Sequence, residues 1–371
     1  MSRVYLDSNA TTSMSRAVID AMTSSFGAAW GNPTSIHSEG RLARSVVEGA
    51  REKAAAMAGV DARDTVFTSG GTEANNIALR SLFAYGKTKG ALVTSRLEHP
   101  SITRVAEAIE REGGTVRWVR ALESGMIDVD DLAAQTQGLP IALLAFSVVN
   151  HETGNLQPID DIFRIAFERG GIPVHLDAVQ AWGKIAPDLS RASTLSFAAH
   201  KVRGPKGIGC LFKRSHVRLE PVLLGGAQEK GVRPGTLPAP LCAGLAAAVD
   251  ELTTLRSEME SLAPLRDKLE AALFALGGLR NGSGPRVSHV TNVSFPGRSG
   301  PELVAALDLE GISVSSGSAC SAGTSEPSPV IRAMVGDDRG ASAVRCSLGP
   351  WNTSDEIDKA IGAFQRVFAR S

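Results

Sequence analysis

Short runs of apolar and β-branched residues alternate with amphipathic stretches along the first part of the chain. The runs that predict strands are Thr65–Thr68, Ala91–Thr94, Thr115–Val119, Ile141–Val148, Ile172–Leu176, Thr194–Phe197 and Gly207–Phe212. Helical periodicity fills the intervals, as in Thr72–Leu82, Pro100–Glu112 and Ile159–Arg169. Strands and helices that alternate in this way are typical of an α/β fold with a mainly parallel sheet flanked by helices.

The pattern changes near Pro238, where a largely helical region begins that runs toward Leu276. We expect Pro264 to interrupt it. Beyond it, shorter elements predict a second, smaller α+β unit: strands Val290–Phe295, Ile312–Ser316 and Ala343–Leu348, and helices Pro301–Leu309 and Asp355–Phe368. No proline-rich linker separates the two units, so we expect them to share an extended interface.

Composition and charge narrow the class of protein. The chain has 371 residues, 43% hydrophobic and 21% charged, which is ordinary for a globular protein. Its 39 basic and 39 acidic residues cancel, which gives no electrostatic reason to expect nucleic acid or an anionic membrane as partner. The apolar run Ile141–Phe146 is too short to span a bilayer, and the N-terminus lacks a secretory signal. We therefore expect a soluble, cytoplasmic protein.

The cysteines show no metal-binding or disulfide spacing. Cys210, Cys242 and Cys346 lie in apolar stretches, and we expect them to be small buried residues. Cys320 differs, because the residues around it, 315–323, are all small or polar. That surrounding is typical of an exposed loop.

Three segments that follow predicted strands carry candidate chemistry. Ser69–Glu73 is a glycine-rich turn that could present helix N–H groups to a phosphate, although this motif alone is a weak signal and the alternative is an ordinary turn with Thr72 as N-cap. Asp177 could face a protonated ring nitrogen, or simply cap a helix. Lys201 could be a partly desolvated Schiff-base nucleophile, although most lysines are solvated. Together, at one sheet edge, the three point to pyridoxal phosphate.

The sequence resembles a known family, the cysteine desulfurases of the NifS/IscS type, in class V of the fold-type I pyridoxal enzymes. The motifs that carry the resemblance extend over essentially the whole chain: Tyr5–Thr12, Gly31–Pro33, Phe67–Glu73, His200-Lys201, Gly225–Thr236, Ser315–Cys320 and Arg345–Gly349. The resemblance implies a seven-stranded, mainly parallel sheet in a large cofactor-binding domain, residues 12–255. It also implies a smaller domain, residues 1–11 and 256–371, that carries the cysteine loop.

The resemblance also assigns roles at the site. Lys201 would bond to the cofactor, Asp177 would pair with the pyridine nitrogen, and Gln180 would hydrogen-bond the ring hydroxyl. His99 would stack on the ring and help to move protons. The phosphate would be bound by Gly71, Thr72, His200 and the neighbouring subunit's Thr236. Arg345 would bind the substrate carboxylate, and Cys320 would be the nucleophile that attacks the substrate sulfur.

The implied reaction converts L-cysteine to L-alanine and leaves a persulfide on Cys320. Lys201 would remove the proton from the substrate Cα, and the Cys320 thiolate would attack the substrate sulfur. The implied partners are a second copy of the chain, in a homodimer, and a protein that accepts the sulfur for iron–sulfur cluster assembly or for another sulfur-containing product. Which acceptor is served stays open.

Three positions depart from the family pattern. His151 stands where an asparagine usually faces the cofactor and substrate, and Ala198 stands where a serine hydroxyl usually contacts the phosphate. The sequence ends at Ser371 without the long tail with which some members dock their scaffold partner. Three alternatives remain: a selenocysteine lyase, an aminotransferase, which would not need Cys320, and a degenerate binding protein, which would not need Lys201.

Overall fold

The computed structural model describes residues 3–85, 90–317 and 327–370. Cys320 lies outside the described residues. The strands are β1 (Val4–Tyr5), β2 (Thr65–Thr68), β3 (Ala91–Ser95), β4 (Val116–Val119), β5 (Ile141–Ser147), β6 (Val174–Asp177), β7 (Thr194–Ala198), β8 (Gly209–Lys213), β9 (Leu279–Arg280), β10 (Val290–Ser294), β11 (Ile312–Ser313) and β12 (Ala343–Ser347). The α-helices are α1 (Arg16–Ala28), α2 (Ser38–Ala58), α3 (Gly71–Tyr85), α4 (Pro100–Arg111), α5 (Val129–Gln135), α6 (Ile159–Glu168), α7 (Ala239–Asp250), α8 (Leu252–Glu260), α9 (Ala263–Ala275), α10 (Gly300–Leu309), α11 (Pro329–Val335), α12 (Asp337–Ala341) and α13 (Ser354–Ala369).

The large sheet has seven strands in the order β2-β8-β7-β6-β5-β3-β4. Neighbours from β7 to β4 are parallel, whereas β8 runs antiparallel to both β2 and β7. The predicted α/β fold with a mainly parallel seven-stranded sheet is therefore confirmed.

Each face of this sheet is covered by helices, because its central strands are apolar on both sides. Leu92 and Leu143 belong to a core that includes residues of α3 and α4. Val93 and Leu144, one residue further along each strand, belong to a second core that includes residues of α2 and α7. The alternation of side chains along a strand explains this division.

Two smaller sheets complete the fold. Strands β12, β10 and β9 form an antiparallel sheet, and β1 pairs in parallel with β11. Isolated bridges join Asp7 to Ser347 and Ser315 to Arg345, so the N-terminal segment is held beside β12. The division into residues 12–255 and the remainder stays a prediction.

The helical region after Pro238 differs in detail from the prediction. It breaks twice, at Glu251 between α7 and α8 and at residues 261–262 between α8 and α9, and not at Pro264. Pro264 instead occupies the first turn of α9, where the missing N–H costs no hydrogen bond. Strand β11 ends at Ser313, earlier than predicted. Among the described helices, none combines the length and apolar character that a membrane span requires.

Candidate active site

A cavity of about 190 Å³ lies at the edge of the large sheet where β5, β6 and β7 end. Ligands bind outside the carboxyl ends of strands in open α/β sheets, so this is the expected position for a site. It brings together most of the residues predicted from the sequence: Gly71, Thr72, His99, His151, Asp177, Gln180, His200, Lys201 and Arg345. Of the remaining two, Cys320 is not described and Thr236 lies elsewhere.

Asp177 is the last residue of β6 and is buried. One carboxylate oxygen, Oδ1, accepts hydrogen bonds from Val179 N at 3.0 Å and Ser196 Oγ at 3.2 Å. The other, Oδ2, accepts from Asn75 Nδ2 at 2.8 Å. Neutral donors thus fix the carboxylate, and none of these three contacts is with a cation.

Asn75 connects Asp177 to two further groups. Its Nδ2 also donates to Ser101 Oγ at 2.8 Å, and its Oδ1 lies 2.9 Å from His175 Nε2. An amide oxygen only accepts, so His175 carries its proton on Nε2, and its Nδ1 contacts Thr194 Oγ1 at 2.9 Å. Burial lowers the pKa of His175 to about 4, against the opposing effect of Asp177, so this histidine is neutral.

His99 lies at the start of α4 and also lines the cavity. Its Nδ1 accepts from Ser101 N at 3.1 Å and lies 2.8 Å from Ser101 Oγ, which leaves its proton on Nε2. Burial lowers the pKa of His99, and Lys201 adds to this effect while Asp177 opposes it. His99 therefore caps a helix and is part of the cavity at the same time, rather than being a surface residue.

Lys201 follows β7 at the end of a short 3₁₀ turn, Ala199–Lys201. Its Nζ donates to the backbone oxygens of Asn9 at 2.6 Å and Ala10 at 2.9 Å. Both oxygens belong to the N-terminal segment that β12 holds in place. The amine is therefore positioned inside the cavity rather than in bulk solvent.

The opposite end of the cavity could hold an anion. Helix α3 begins at Gly71 and presents its first N–H groups to this end of the cavity. Thr72 is the second residue of the helix, so the interpretation of Thr72 as an N-cap is wrong. A Cβ on Gly71 would lie 2.6 Å from Val179 Cγ2, which explains the glycine. Burial lowers the pKa of His200 to about 4. Ala198 also lines the cavity and offers no hydroxyl.

Arg345 lies in β12 and is almost fully buried, so it is not a surface ion pair. Its Nη2 donates to Asp7 Oδ1 at 2.7 Å and its Nη1 to the backbone oxygen of His151 at 3.0 Å. Its Nε has no hydrogen-bond partner among the described residues. The guanidinium is thus anchored while retaining one buried N–H.

His151 is buried beside this arginine, and its ring is perpendicular to that of His99, with centroids 5.1 Å apart. Neither ring nitrogen has a hydrogen-bond partner in the described part of the chain, and Nε2 lies 3.7 Å from Glu152 Oε1. Burial, with His99, Arg345 and Lys201 nearby, lowers the pKa of His151 well below its usual value. The imidazole is therefore neutral.

Thr236 lies outside the cavity, exposed on the segment between β8 and α7. Two ion pairs attach this segment to the large sheet region: Arg233 to Glu73, with Nε 3.0 Å from Oε1, and Glu229 to Arg51, with Oε1 2.7 Å from Nη2. The expected contact of Thr236 with the phosphate in a neighbouring subunit stays a prediction.

The three cysteines expected to be buried are buried. Burial raises the pKa of Cys242 and Cys346 to about 12 and that of Cys210 well above its usual value. A thiol in this state is a poor nucleophile at neutral pH. None of these three is therefore a suitable sulfur acceptor.

Five residues that contact the predicted site residues or one another were not themselves predicted from the sequence: Asn75, Ser101, Asn9, Lys184 and His175. A weak signal existed for two of them. Asn75 lies three residues after Thr72 and so on the same face of α3, and His175 lies two residues before Asp177 and so on the same face of β6.

The aminotransferase class-V family profile matches residues 4–360, and the chain belongs to this family. Within it, the similarity is to cysteine desulfurases. The chain is 37% identical over 377 residues to the cysteine desulfurase of Nostoc sp., and the match covers 100% of this chain and 94% of that protein.

Two solved structures share the fold. One is entitled NifS-like protein, with a TM-score of 0.91, 31% identity and full coverage of both chains. The other is entitled SspA in complex with cysteine, with a TM-score of 0.82 and 31% identity, covering 94% of this chain and 100% of that one. The resemblance found from the sequence motifs is therefore confirmed.

Proposed function

We propose that the protein is a pyridoxal phosphate-dependent cysteine desulfurase, which converts L-cysteine to L-alanine and transfers the sulfur to Cys320. The observation that carries this proposal is the presence of Lys201, Asp177 and the buried Arg345 in one cavity of about 190 Å³. The similarity to cysteine desulfurases and to a structure solved with cysteine supports the same reaction.

The residues present fit the cofactor. The Asp177 carboxylate, an acceptor fixed by three neutral donors, suits a protonated pyridine nitrogen. The N-terminus of α3 with Thr72 and His200 suits the phosphate, and Gln180 suits the ring hydroxyl. When bound, the cofactor supplies an electron sink for the pair of electrons left when the substrate Cα–H bond breaks.

Lys201 holds the cofactor and then moves the proton. Backbone oxygens of Asn9 and Ala10 orient its amine within the cavity. The Lys201 amine would accept the substrate Cα proton as a general base. His99, neutral and with its proton on Nε2, is suited to stack on the ring and to assist proton movement.

Arg345 and His151 are suited to bind the substrate carboxylate. The Nε of Arg345 and both ring nitrogens of His151 are buried without partners among the described residues. The neutral imidazole carries one N–H, so Arg345 and His151 each offer one buried donor, and a buried donor without a partner costs about 1–3 kcal/mol. A carboxylate supplies two acceptor oxygens. Asp7 and the His151 backbone oxygen meanwhile hold the guanidinium in place.

Sulfur transfer then balances without an external oxidant. The thiolate of Cys320 attacks the substrate sulfur, so an S–S bond forms as the substrate C–S bond breaks. The electron pair of the broken bond stays with the substrate Cβ, which takes up protons and leaves as alanine. One L-cysteine and one enzyme thiol therefore give one L-alanine and one enzyme persulfide.

Homodimer formation and delivery of sulfur to a protein acceptor, for iron–sulfur cluster assembly or another product, also belong to this proposal, as does a cytoplasmic location. The large apolar side chains of Trp30, Ile36 and Leu224 are 71%, 86% and 90% exposed, which supports burial against a second copy. Thr236, exposed on its segment, would then reach the neighbouring subunit's phosphate site.

The experiment is anaerobic incubation of the purified yellow enzyme with L-cysteine, with alanine and sulfide quantified together. Equal release of the two products in the presence of a reductant is expected. Cys320→Ser should bind cofactor and substrate but release no sulfide. Cys242→Ala removes a buried thiol that takes no part in the proposed reaction, and it should match the parent. Sulfide release by Cys320→Ser at the parental rate would remove Cys320 from the mechanism.

A further inference from the structure

One buried lysine beside the cavity has no role in the reaction described above. Lys184 follows the turn after β6, seven residues after Asp177, and its side chain is only 4% exposed. No ion pair joins it to a carboxylate in the described part of the chain. Burial lowers the pKa of Lys184 well below its usual value, and Lys201 and Arg345 add to this effect. A lysine in such a place is costly unless it serves the site.

The contact that Lys184 makes is with Gln180. Its Nζ donates to Gln180 Oε1, and Gln180 Nε2 in turn donates to the backbone oxygen of Asn9 at 2.9 Å. A backbone oxygen only accepts, so Asn9 requires an amide N–H, and the Lys184 amine then donates to Oε1. A flipped amide would place oxygen against oxygen at Asn9.

This fixed orientation decides what the amide offers to the cavity that Gln180 lines. Its oxygen is engaged with Lys184, and one of its two N–H groups is engaged with Asn9. The second N–H is left for a ligand, so the group at this position must be an acceptor. Two hydrogen bonds hold the side chain of Asn9 itself. Its Oδ1 lies 3.0 Å from His289 Nε2, and its Nδ2 donates to the His151 backbone oxygen at 3.2 Å.

We propose that Lys184 is a positioning residue that acts through Gln180: it orients the Gln180 N–H toward the ring hydroxyl oxygen of pyridoxal phosphate and favours the anionic form of that oxygen. The inference rests on the proposed function, because it needs the cofactor. It concerns only residues of this chain, and it is tested by cofactor binding and spectroscopy rather than by turnover.

The variant is Lys184→Met, which keeps the length of the side chain and removes the donor to Gln180. We expect the Kd for pyridoxal phosphate to rise about tenfold. The pH at which the absorption spectrum of the bound cofactor changes between its protonation forms should rise by about one unit, since the ring oxygen loses a fixed N–H donor. Lys206→Met, which removes an exposed cation close to His200, is the matched control and should leave both values within experimental error.

A double-mutant cycle separates action through Gln180 from a general effect of charge. In the Gln180→Leu background, Lys184→Met should change the Kd by less than twofold. An equal change in both backgrounds would overturn the positioning role, as would a Lys184→Met protein with the parental Kd and spectral pH dependence.

Stability is monitored by the thermal unfolding midpoint, which replacement of a buried polar group by an apolar side chain should leave unchanged or raise. Lys184→Leu, which also removes the donor, serves as a second variant with the same expectations for the cofactor. Loss of the fold in both variants would make Lys184 a structural residue and overturn the inference. A wild-type protein that binds no pyridoxal phosphate would instead overturn the proposed function.

Discussion

The two sides of the cavity differ in how far their hydrogen bonds are satisfied. On the Asp177 side, Asn75 and His175 use both polar ends of their side chains within the protein. On the Arg345 side, the Nε of Arg345 and both ring nitrogens of His151 have no partner among the described residues. Buried polar groups are normally paired, so the second side is incomplete as it stands.

This difference separates two tasks. A resident group that stays bound through many turnovers benefits from a rigid, preorganised wall, which the Asp177 side provides. A substrate that enters and leaves gains its binding energy by satisfying groups that are otherwise unpaired, which the Arg345 side provides.

Lys201→Ala should abolish the reaction while leaving both walls intact. The variant loses the covalent attachment of the cofactor and the Cα base together, so alanine formation should fall at least about a thousandfold. Product quantification by mass spectrometry checks this. Lys206→Ala, on the exposed loop that follows, is the control and should be unaffected. Turnover of Lys201→Ala within tenfold of the parent would remove Lys201 from the mechanism.

Arg345→Lys should weaken the substrate side alone. A lysine keeps the charge but cannot reach Asp7, the His151 backbone oxygen and a carboxylate at the same time, because it lacks the planar fork. We expect kcat/KM to fall about a hundredfold, mainly through KM, which corresponds to the cost of breaking a buried charged contact. Cofactor affinity should not change.

Arg332→Lys is the matched control, since Arg332 forms an exposed ion pair with Asp337. A fall in cofactor affinity as large as the change in KM would show that the two sides of the cavity are not independent.

The contrast between the two sides also marks what could be predicted from the sequence. Most strands were predictable to within a few residues because they are short runs rich in apolar and β-branched residues, as in β2 (Thr65–Thr68). The two-residue strands β1 and β9 were not predicted. The site residues Lys201 and Asp177 were predictable because they follow such runs. The pairing of Arg345 with Asp7, 338 residues apart, was not, since only the tertiary fold brings β12 beside the N-terminus.

Supporting residues were harder to predict than reacting ones for a physical reason. Asn75 is one polar residue among several in an ordinary helix, and its importance comes from what lies around it. Lysine is usually a surface residue, but Lys184 is buried. Helix α2 (Ser38–Ala58) was also not predicted, because charged residues occupy much of it and its apolar stripe is made largely of alanines.

His175→Gln should change the pH dependence of stability. Burial lowers the folded pKa of His175 to about 4, below its usual 6.5, with Asp177 opposing the shift. Between these values the unfolded chain binds the proton more readily, so the stability from neutral His175 is present above pH 6.5 and is lost as the pH falls toward 4. From pH 7 to pH 5 this loss amounts to about 2 kcal/mol.

The measurement is the free energy of unfolding by guanidinium at the two pH values, with both proteins saturated with cofactor. The decrease from pH 7 to pH 5 should be about 2 kcal/mol smaller in His175→Gln than in the parent. Because the other buried histidines titrate in both proteins, the comparison isolates His175. Equal decreases in the two proteins would mean that folding does not lower the pKa of His175, so that the folded protein takes up this proton by pH 5.

His151→Asn should have the smallest effect, although it replaces the residue by which the chain departs from its family pattern. An amide N–H can replace the imidazole N–H as a donor, but it loses the edge contact with His99, whose ring centroid lies 5.1 Å away. We expect kcat/KM to change by no more than about threefold, because one neutral hydrogen bond is exchanged for another. The pH profile should stay the same above pH 6, since the pKa of His151 lies well below its usual value and the ring is uncharged there.

His151→Phe supplies the matched comparison, because it keeps a ring beside His99 and removes the donor. Its kcat/KM should fall about tenfold, in proportion to one lost hydrogen bond of about 1.4 kcal/mol to the carboxylate. If His151→Asn falls as far as His151→Phe, the imidazole has a role that an amide cannot take over, such as accepting a proton. If neither variant differs from the parent, the unpaired nitrogens of His151 do not contact the substrate, and Arg345 alone accounts for carboxylate binding on that side.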